Sequence, residues 1–112
     1  FPRWVHPSRV NDTALAETVM AMTQRVGRDA FVRQETAILG RPDSRPGLSR
    51  ITCPTLVLCG QEDQSTPVAF HREMAADIPS ARLVVVKECG HLSTIERPET
   101  VNREMRAWLT GD

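Results

Sequence analysis

The sequence predicts an α/β protein, in which a β-α-β-α part of a doubly wound parallel sheet follows a helical hairpin. In residues 11–40, apolar side chains recur at helical spacing, which favours two helices. Residues 55–60 form a continuous apolar run, residues 82–87 contain three consecutive valines, and a helical pattern follows each. Strands that alternate with helices are typical of a parallel sheet with helical crossovers.

The composition is that of a small globular domain with balanced charge. The 112 residues include 14 basic and 14 acidic side chains, and aromatic residues make up 4%. A net charge of zero argues against a nucleic-acid or anionic-membrane partner, because both favour a basic surface. The longest apolar runs fall far short of the ~20 residues that cross a bilayer, and no secretory signal is visible. The chain starts at Phe1 rather than Met, so we expect it to begin inside a longer gene product.

The cysteines predict free thiols rather than a disulfide framework or a metal site. Cys53, Cys59 and Cys89 are odd in number and lack C-x-x-C spacing. A metal site built from His71 and His91 is disfavoured because neither has ligand-spaced partners. We therefore expect no metal and no cofactor, and buried free thiols favour a reducing compartment, the cytoplasm.

Residues 1–40 are expected to form a helical segment. An apolar stripe at steps of four, three and four residues predicts its first helix: Leu15, Val19, Met22 and Val26. Asp12 is the expected N-cap, and Gly27 is expected to end the helix.

A second helix is predicted from Asp29 to Gly40, with Phe31 and Ile38 on its buried side. Residues 41–50 hold two prolines and a glycine without an apolar period, which predicts a linker.

Residues 51–112 are expected to form part of a sheet with its helices. Pro54 introduces the first strand, Thr66 and Pro67 are the expected N-cap and first residue of the next helix, and Pro98 opens the last one. Apolar stripes support these helices: Phe70, Met74 and Ile78 in the first, and Val101, Met105, Trp108 and Leu109 in the last. Two strands are marginal alone, so the fold is expected to be incomplete and the isolated chain to self-associate.

Two loops at the predicted carboxyl ends of the strands carry the residues that point to catalysis. Asp63 lies three residues past the first strand, and His91 lies four past the second. Loops at this edge of a parallel sheet meet, so a carboxylate and an imidazole can pair there. Such a pair is two thirds of a nucleophilic triad, because the carboxylate orients the imidazole and the imidazole takes a proton from the nucleophile.

Other interpretations of these residues are open. Asp63 is also typical of a turn after a strand, and His91 of an exposed loop. Glu62 is an alternative acid, whereas Cys89 is rejected as a nucleophile because it does not lie on a sharp strand-to-helix turn. Trp4 either lines a pocket or packs.

The segments around both loops have recognisable sequences. Residues 53–63 read CPTLVLCGQED, residues 78–86 read IPSARLVVV, and GHL at 90–92 is followed by ERPE at 96–99. Together they resemble, over residues 51–109, the C-terminal part of the α/β-hydrolase fold family. The first segment matches the family's strand-then-acid element PTLVxxGxxD, and the others resemble its last strand, its catalytic-histidine loop and its final helix.

The resemblance implies that Asp63 is a triad acid, that His91 is the general base, and that the helical segment before Gly40 is similar to the cap over such active sites. The run GHLSTIE at residues 90–96 looks closest to the enol-lactonase branch, which includes 3-oxoadipate enol-lactonase. The family's nucleophile lies in a G-x-S-x-G elbow. No serine of this chain has that context: Ser8, Ser44, Ser49, Ser65, Ser80 and Ser93.

The chain therefore looks like the cap and C-terminal portion of a hydrolase of roughly 250 residues. The implied function of the intact protein is hydrolysis of a carboxylic ester or lactone by a Ser-His-Asp triad whose serine lies outside this chain. A non-catalytic fragment or interaction module, or a carbon–carbon bond hydrolase, are the alternatives. We expect the isolated chain to be inactive, because the nucleophile elbow is absent.

Overall fold

The computed structural model describes residues 1–111, and this part of the chain contains five α-helices and two strands. Two 3-10 turns, Pro7–Arg9 and Arg45–Arg50, lie before the first helix and before the first strand. The other elements, in chain order, are α1 (Thr13–Val26), α2 (Arg28–Leu39), β1 (Thr55–Gly60), α3 (Val68–Asp77), β2 (Ala81–Val86), α4 (Ser93–Glu96) and α5 (Pro98–Thr110).

The two strands are parallel and pair directly, and α3 connects the end of β1 to the start of β2. Thr55 lies opposite Ala81 at one end of the pair, and Gly60 lies opposite Val86 at the other. The α/β class and the incomplete sheet are therefore as predicted. None of the helices in residues 1–111 combines the length and the apolar character needed to cross a membrane.

The core lies between the sheet and its flanking helices. Its apolar members are at most 7% exposed and come from the segment before α1, from α1, from both strands, from the C-cap of α3, from the loop after β2 and from α5: Val5, Leu15, Val57, Cys59, Ile78, Val86, Cys89 and Val101. Cys59 and Cys89 are thus buried free thiols as predicted, whereas Cys53 is exposed. The indole N–H of Trp108 donates to the carbonyl of Pro54 over 3.1 Å, which ties α5 to the start of β1.

The first helix forms as predicted. The Asp12 side chain accepts the backbone N–H of Leu15 over 2.9 Å, which is the N-cap geometry, and Gly27 ends the helix at φ 72°. Leu15 is buried, whereas Met22 and Val26 are 46% and 41% exposed.

The prediction that α2 buries Phe31 and Ile38 is wrong, because both are 51% exposed and no residue of this helix is buried. The helix also begins at Arg28, so Asp29 lies in its first turn rather than at the cap. Helical spacing identifies an apolar side of a helix, but it does not show whether another element covers that side.

The last helix buries less of its stripe than predicted. Val101 is 4% exposed, but Met105, Trp108 and Leu109 are 42%, 38% and 71% exposed. Within residues 1–111 the sheet has two strands, which leave part of the apolar side of α5 uncovered.

Candidate active site

The carboxyl ends of β1 and β2 bring Asp63 and His91 together. Asp63 lies three residues past the end of β1, and His91 lies five past the end of β2. Because the strands are parallel neighbours in register, their following loops lie side by side. The Nδ1 atom of His91 is 2.8 Å from Oδ2 of Asp63, a hydrogen bond between residues that are 28 positions apart.

The Asp63 carboxylate is buried and fully engaged by hydrogen bonds. Its side chain is 4% exposed. Its Oδ1 accepts the backbone N–H groups of Ser65 and Thr66 over 2.8 and 2.9 Å, and its Oδ2 accepts the Thr66 hydroxyl over 2.8 Å. Burial raises the pKa of Asp63, but the hydrogen bonds from Thr66, His91 and Ser65 outweigh it and hold that pKa below its usual value.

This use of Thr66 corrects the predicted start of α3. Thr66 does not cap the helix, which begins at Val68 after Pro67 without a side-chain cap. The hydroxyl and N–H of Thr66 both point to Asp63 instead, so the loop satisfies the carboxylate rather than the helix end. Asp63 is thus a turn-forming residue and a partner of His91 at once.

The histidine is held in one orientation and leaves its other nitrogen available. An ionised carboxylate only accepts, so Nδ1 of His91 carries the proton toward Asp63 and Nε2 is the basic nitrogen of the neutral ring. The His91 side chain is 40% exposed. No hydrogen bond engages Nε2 within residues 1–111. The imidazole can therefore accept a proton from a hydroxyl group that lies within hydrogen-bond reach of Nε2.

Glu62, the alternative acid, has a different task. Its Oε2 accepts the backbone N–H of Cys89 over 2.9 Å, and its own N–H donates to the carbonyl of Cys89 over 2.9 Å. Glu62 therefore joins the backbones of the two loops and forms no hydrogen bond with the imidazole. Burial, with Glu96 nearby, raises the pKa of Cys89 to about 12, so this thiol is protonated at neutral pH and unsuited to nucleophilic attack.

The other candidate ligands and bases lie apart from this pair. His6 Nδ1 contacts the Ser8 hydroxyl, and His71 Nδ1 lies 3.3 Å from the carbonyl of Pro67. In the described residues, no group of three His, Cys, Asp or Glu side chains could hold a metal ion. No serine side chain of residues 1–111 forms a hydrogen bond with His91.

Three groups that hold the site were not predictable from the sequence. The Thr66 hydroxyl binds Asp63, and the carbonyl of Trp4 accepts the N–H groups of His91 and Leu92. The Glu96 side chain is buried beside the histidine loop, residues 87–92 between β2 and α4. Trp4 is 42% exposed, and its backbone carbonyl is the group that accepts these two hydrogen bonds. In the sequence, Glu96 stands out only as the first residue of the ERPE segment, and that segment does not indicate which groups its carboxylate binds.

Comparison with known proteins assigns the chain to a family. The family model described as TAP-like protein matches residues 32–111. RutD of Serratia proteamaculans (strain 568), which is named as a carbamate hydrolase, is 34% identical over 83 residues, covering 74% of this chain and 31% of the relative. This chain spans about a third of the length of the curated relatives that it matches.

Two solved structures share the fold of the chain. A thermophilic esterase from Thermogutta terrifontis is similar to it with a TM-score of 0.62 and 43% identity, over 64% of this chain and 26% of the esterase. The α/β hydrolase MGS-M2 from a Medee basin deep-sea metagenome library gives a TM-score of 0.80 at 24% identity, over 97% of this chain and 42% of that one. The second likeness concerns the fold alone. The chain belongs to the α/β-hydrolase family, as part of such a protein, and within it to the TAP-like protein family.

Proposed function

We propose that this chain supplies the acid, Asp63, and the general base, His91, of a Ser-His-Asp triad, and that the intact protein hydrolyses a carboxylic ester or lactone. The observation that carries the proposal is the 2.8 Å hydrogen bond between His91 Nδ1 and a buried Asp63 carboxylate. It orients the imidazole so that Nε2 faces away from the acid, as a triad base requires. The serine is supplied by a part of the protein outside this chain.

In the proposed reaction, His91 moves protons and Asp63 does not. Nε2 of His91 takes the proton of the serine hydroxyl as that oxygen attacks the acyl carbon, and the imidazolium then gives the proton to the leaving alkoxide. Water attacks the resulting acyl-enzyme, again losing a proton to Nε2, which returns it to the serine oxygen. Because its lowered pKa keeps Asp63 ionised, the carboxylate stabilises the imidazolium in both steps.

Two observations concern the substrate, the first its chemical class and the second its size. The thermophilic esterase is 43% identical where it matches this chain, which favours an ester. A cavity of about 610 Å³ lies between residues 41–48 and α3, and Thr66, which contacts Asp63, lines it, whereas Asp63 and His91 do not. That volume falls within the ~300–1,000 Å³ typical of small-molecule sites.

A carbamate is the second candidate substrate, because a relative named as a carbamate hydrolase is 34% identical over 74% of this chain. The same triad would cleave it by attack of the serine oxygen on the carbamoyl carbon, and the alkoxide or amine that leaves would take the proton from the imidazolium. A panel of one p-nitrophenyl ester, one lactone, one carbamate and one carbon–carbon cleavage substrate distinguishes these activities in the full-length protein.

The proposal predicts that Asp63→Asn and His91→Ala each lower kcat of the full-length enzyme by roughly 10⁴-fold. The asparagine keeps an acceptor for the N–H groups of Ser65 and Thr66 but presents an amide N–H to His91, which favours the wrong imidazole tautomer. Steady-state kinetics on the best substrate of the panel measures the loss.

Asp77→Asn is the matched control, because this exposed carboxylate at the end of α3 lies outside the site. It should keep wild-type rates. A wild-type rate in either Asp63→Asn or His91→Ala, with the protein folded, would refute the triad assignment.

A further inference from the structure

Four consecutive backbone N–H groups of the histidine loop are held by acceptors from other parts of the chain. The bonds are 2.8–3.1 Å long and pair Cys89 with the Glu62 side chain, Gly90 with the Glu96 side chain, and both His91 and Leu92 with the carbonyl of Trp4. The loop that carries the imidazole is therefore fixed by contacts from the loop after β1, from α4 and from the N-terminal segment, residues 4–6.

Glu96 connects two of these parts. Its side chain reaches the loop through Oε2, which accepts the N–H of Gly90 over 2.9 Å, and the N-terminal segment through Oε1, which accepts the N–H of His6 over 2.7 Å. The residue is 3% exposed. A carboxylate at that depth is costly unless hydrogen bonds satisfy it, and each of its oxygens has a backbone donor.

The N-terminal segment lies so close to the loop that a glycine is required. A Cβ at Gly90 would lie 2.6 Å from the carbonyl carbon of Val5 and 2.8 Å from the carbonyl oxygen of Trp4. Val5 itself is 1% exposed. The segment that Glu96 holds is thus the one whose Trp4 carbonyl accepts the N–H of His91.

We propose that Glu96 is a positioning residue, which joins residues 4–6 to the histidine loop and thereby sets where the imidazole of His91 stands. The inference rests on the proposed function to the extent that His91 is the general base. Glu96 does not touch the reacting atoms, and it acts through the Gly90 N–H and through the Trp4 carbonyl. Without the bond to Gly90 or the bond to His6, we expect the backbone next to His91 to become more mobile.

The test is Glu96→Gln in the full-length protein. Glutamine preserves the size of the side chain but replaces one acceptor oxygen with an NH2 group, which then faces a backbone N–H donor. We expect kcat to fall by about 10- to 100-fold, because a displacement of about 1 Å in a catalytic group costs that much, while KM stays within about twofold. Amide hydrogen exchange at Gly90, His91 and Leu92 should become faster, with exchange in β1 and β2 unchanged.

Glu99→Gln is the control, since this exposed carboxylate lies one turn away at the start of α5. It should alter neither kcat nor exchange in the loop. His6→Pro, compared with His6→Ala because both lose the imidazole contacts with Ser8, is a second variant that removes the N–H donated to Oε1, at a backbone φ of −57° that proline adopts. It should accelerate exchange at His91 and lower kcat, and it decides the question if Glu96→Gln does not fold.

The outcomes separate this inference from the proposed function. Wild-type kcat and unchanged loop exchange in a folded Glu96→Gln protein would overturn the positioning role, even if His91→Ala abolishes activity. If His91→Ala retains activity, the proposed function fails, and the exchange data still decide whether Glu96 holds the loop. A uniform rise in exchange across the sheet would mean a general structural role and would also overturn the inference.

Discussion

The Asp63 carboxylate shows how a single residue serves structure and chemistry together. Burial to 4% exposure would by itself favour the neutral acid, which could not stabilise an imidazolium. Two backbone N–H groups, one hydroxyl and the His91 ring reverse that preference and lower its pKa. The turn that places Asp63 after β1 is therefore also the device that keeps it ionised.

This balance predicts how Asp63 contributes to stability as the pH falls. A carboxyl group whose folded-state pKa lies below its ordinary value of 3.8 stabilises the fold above that pH, and the contribution disappears as the pH falls through the lowered value. The difference in unfolding free energy between wild type and Asp63→Asn should shrink on acidification from about pH 5 to below 3.8. Urea unfolding of the full-length proteins at several pH values measures it.

A difference between wild type and Asp63→Asn that stays constant or grows on acidification would contradict the assignment of a lowered pKa to Asp63.

At the scale of elements, the close approach of two loops is the feature that builds the site. Gly60 ends β1 directly against the backbone of the histidine loop, where a Cβ would overlap the carbonyl oxygens of Cys89 and Gly90. Gly90 in turn lies against Val5 and Trp4. These two glycines let three stretches of backbone meet beneath the pair of Asp63 and His91.

Gly90→Ala is therefore expected to destabilise the protein by about 1–3 kcal/mol, because its methyl group has to displace backbone rather than a side chain. Gly47→Ala is the control, since its Cβ would meet only the Arg50 guanidinium at 3.4 Å, and a change within about 0.5 kcal/mol is expected. Equilibrium denaturation compares the two variants. Equal stability of Gly90→Ala and Gly47→Ala would contradict the described contact.

The elements that could be predicted from sequence are those with local causes. The bounds of β1 coincide with the predicted strand, because Pro54 and Gly60 border a continuous apolar run. The N-cap of α1 at Asp12 was equally predictable, since it depends on one side chain and the next turn. The meeting of Asp63 and His91 also follows from local signals, because two parallel strands end at one edge.

What could not be predicted depends on contacts between distant segments. Thr66 has the sequence context of a helix cap, but its pairing with Asp63 is set by the fold of the loop. The carboxylate of Glu96 reaches His6, 90 positions away, and no local pattern encodes that bond. The exposure of Phe31 and Ile38 likewise depends on whether another surface covers α2.

Across the whole molecule, the described chain presents a proposed catalytic acid and base on a sheet of two strands. The chain spans about a third of the curated relatives it matches, and several large apolar side chains of α1 and α2 are exposed: Met20, Met22, Val26, Phe31, Val32, Ile38 and Leu39. We propose that the rest of an α/β-hydrolase contributes the remaining strands and the nucleophilic serine.

The most direct test of the proposed triad is to treat the full-length protein with an alkyl fluorophosphonate and map the modified residue by peptide mass spectrometry. We expect one labelled serine, outside the 112 residues, in the wild-type protein, and labelling slowed by orders of magnitude in His91→Ala. Modification of a serine within this chain, or labelling of His91→Ala at the wild-type rate, would contradict the triad. So would the absence of any modified serine in the folded wild-type protein.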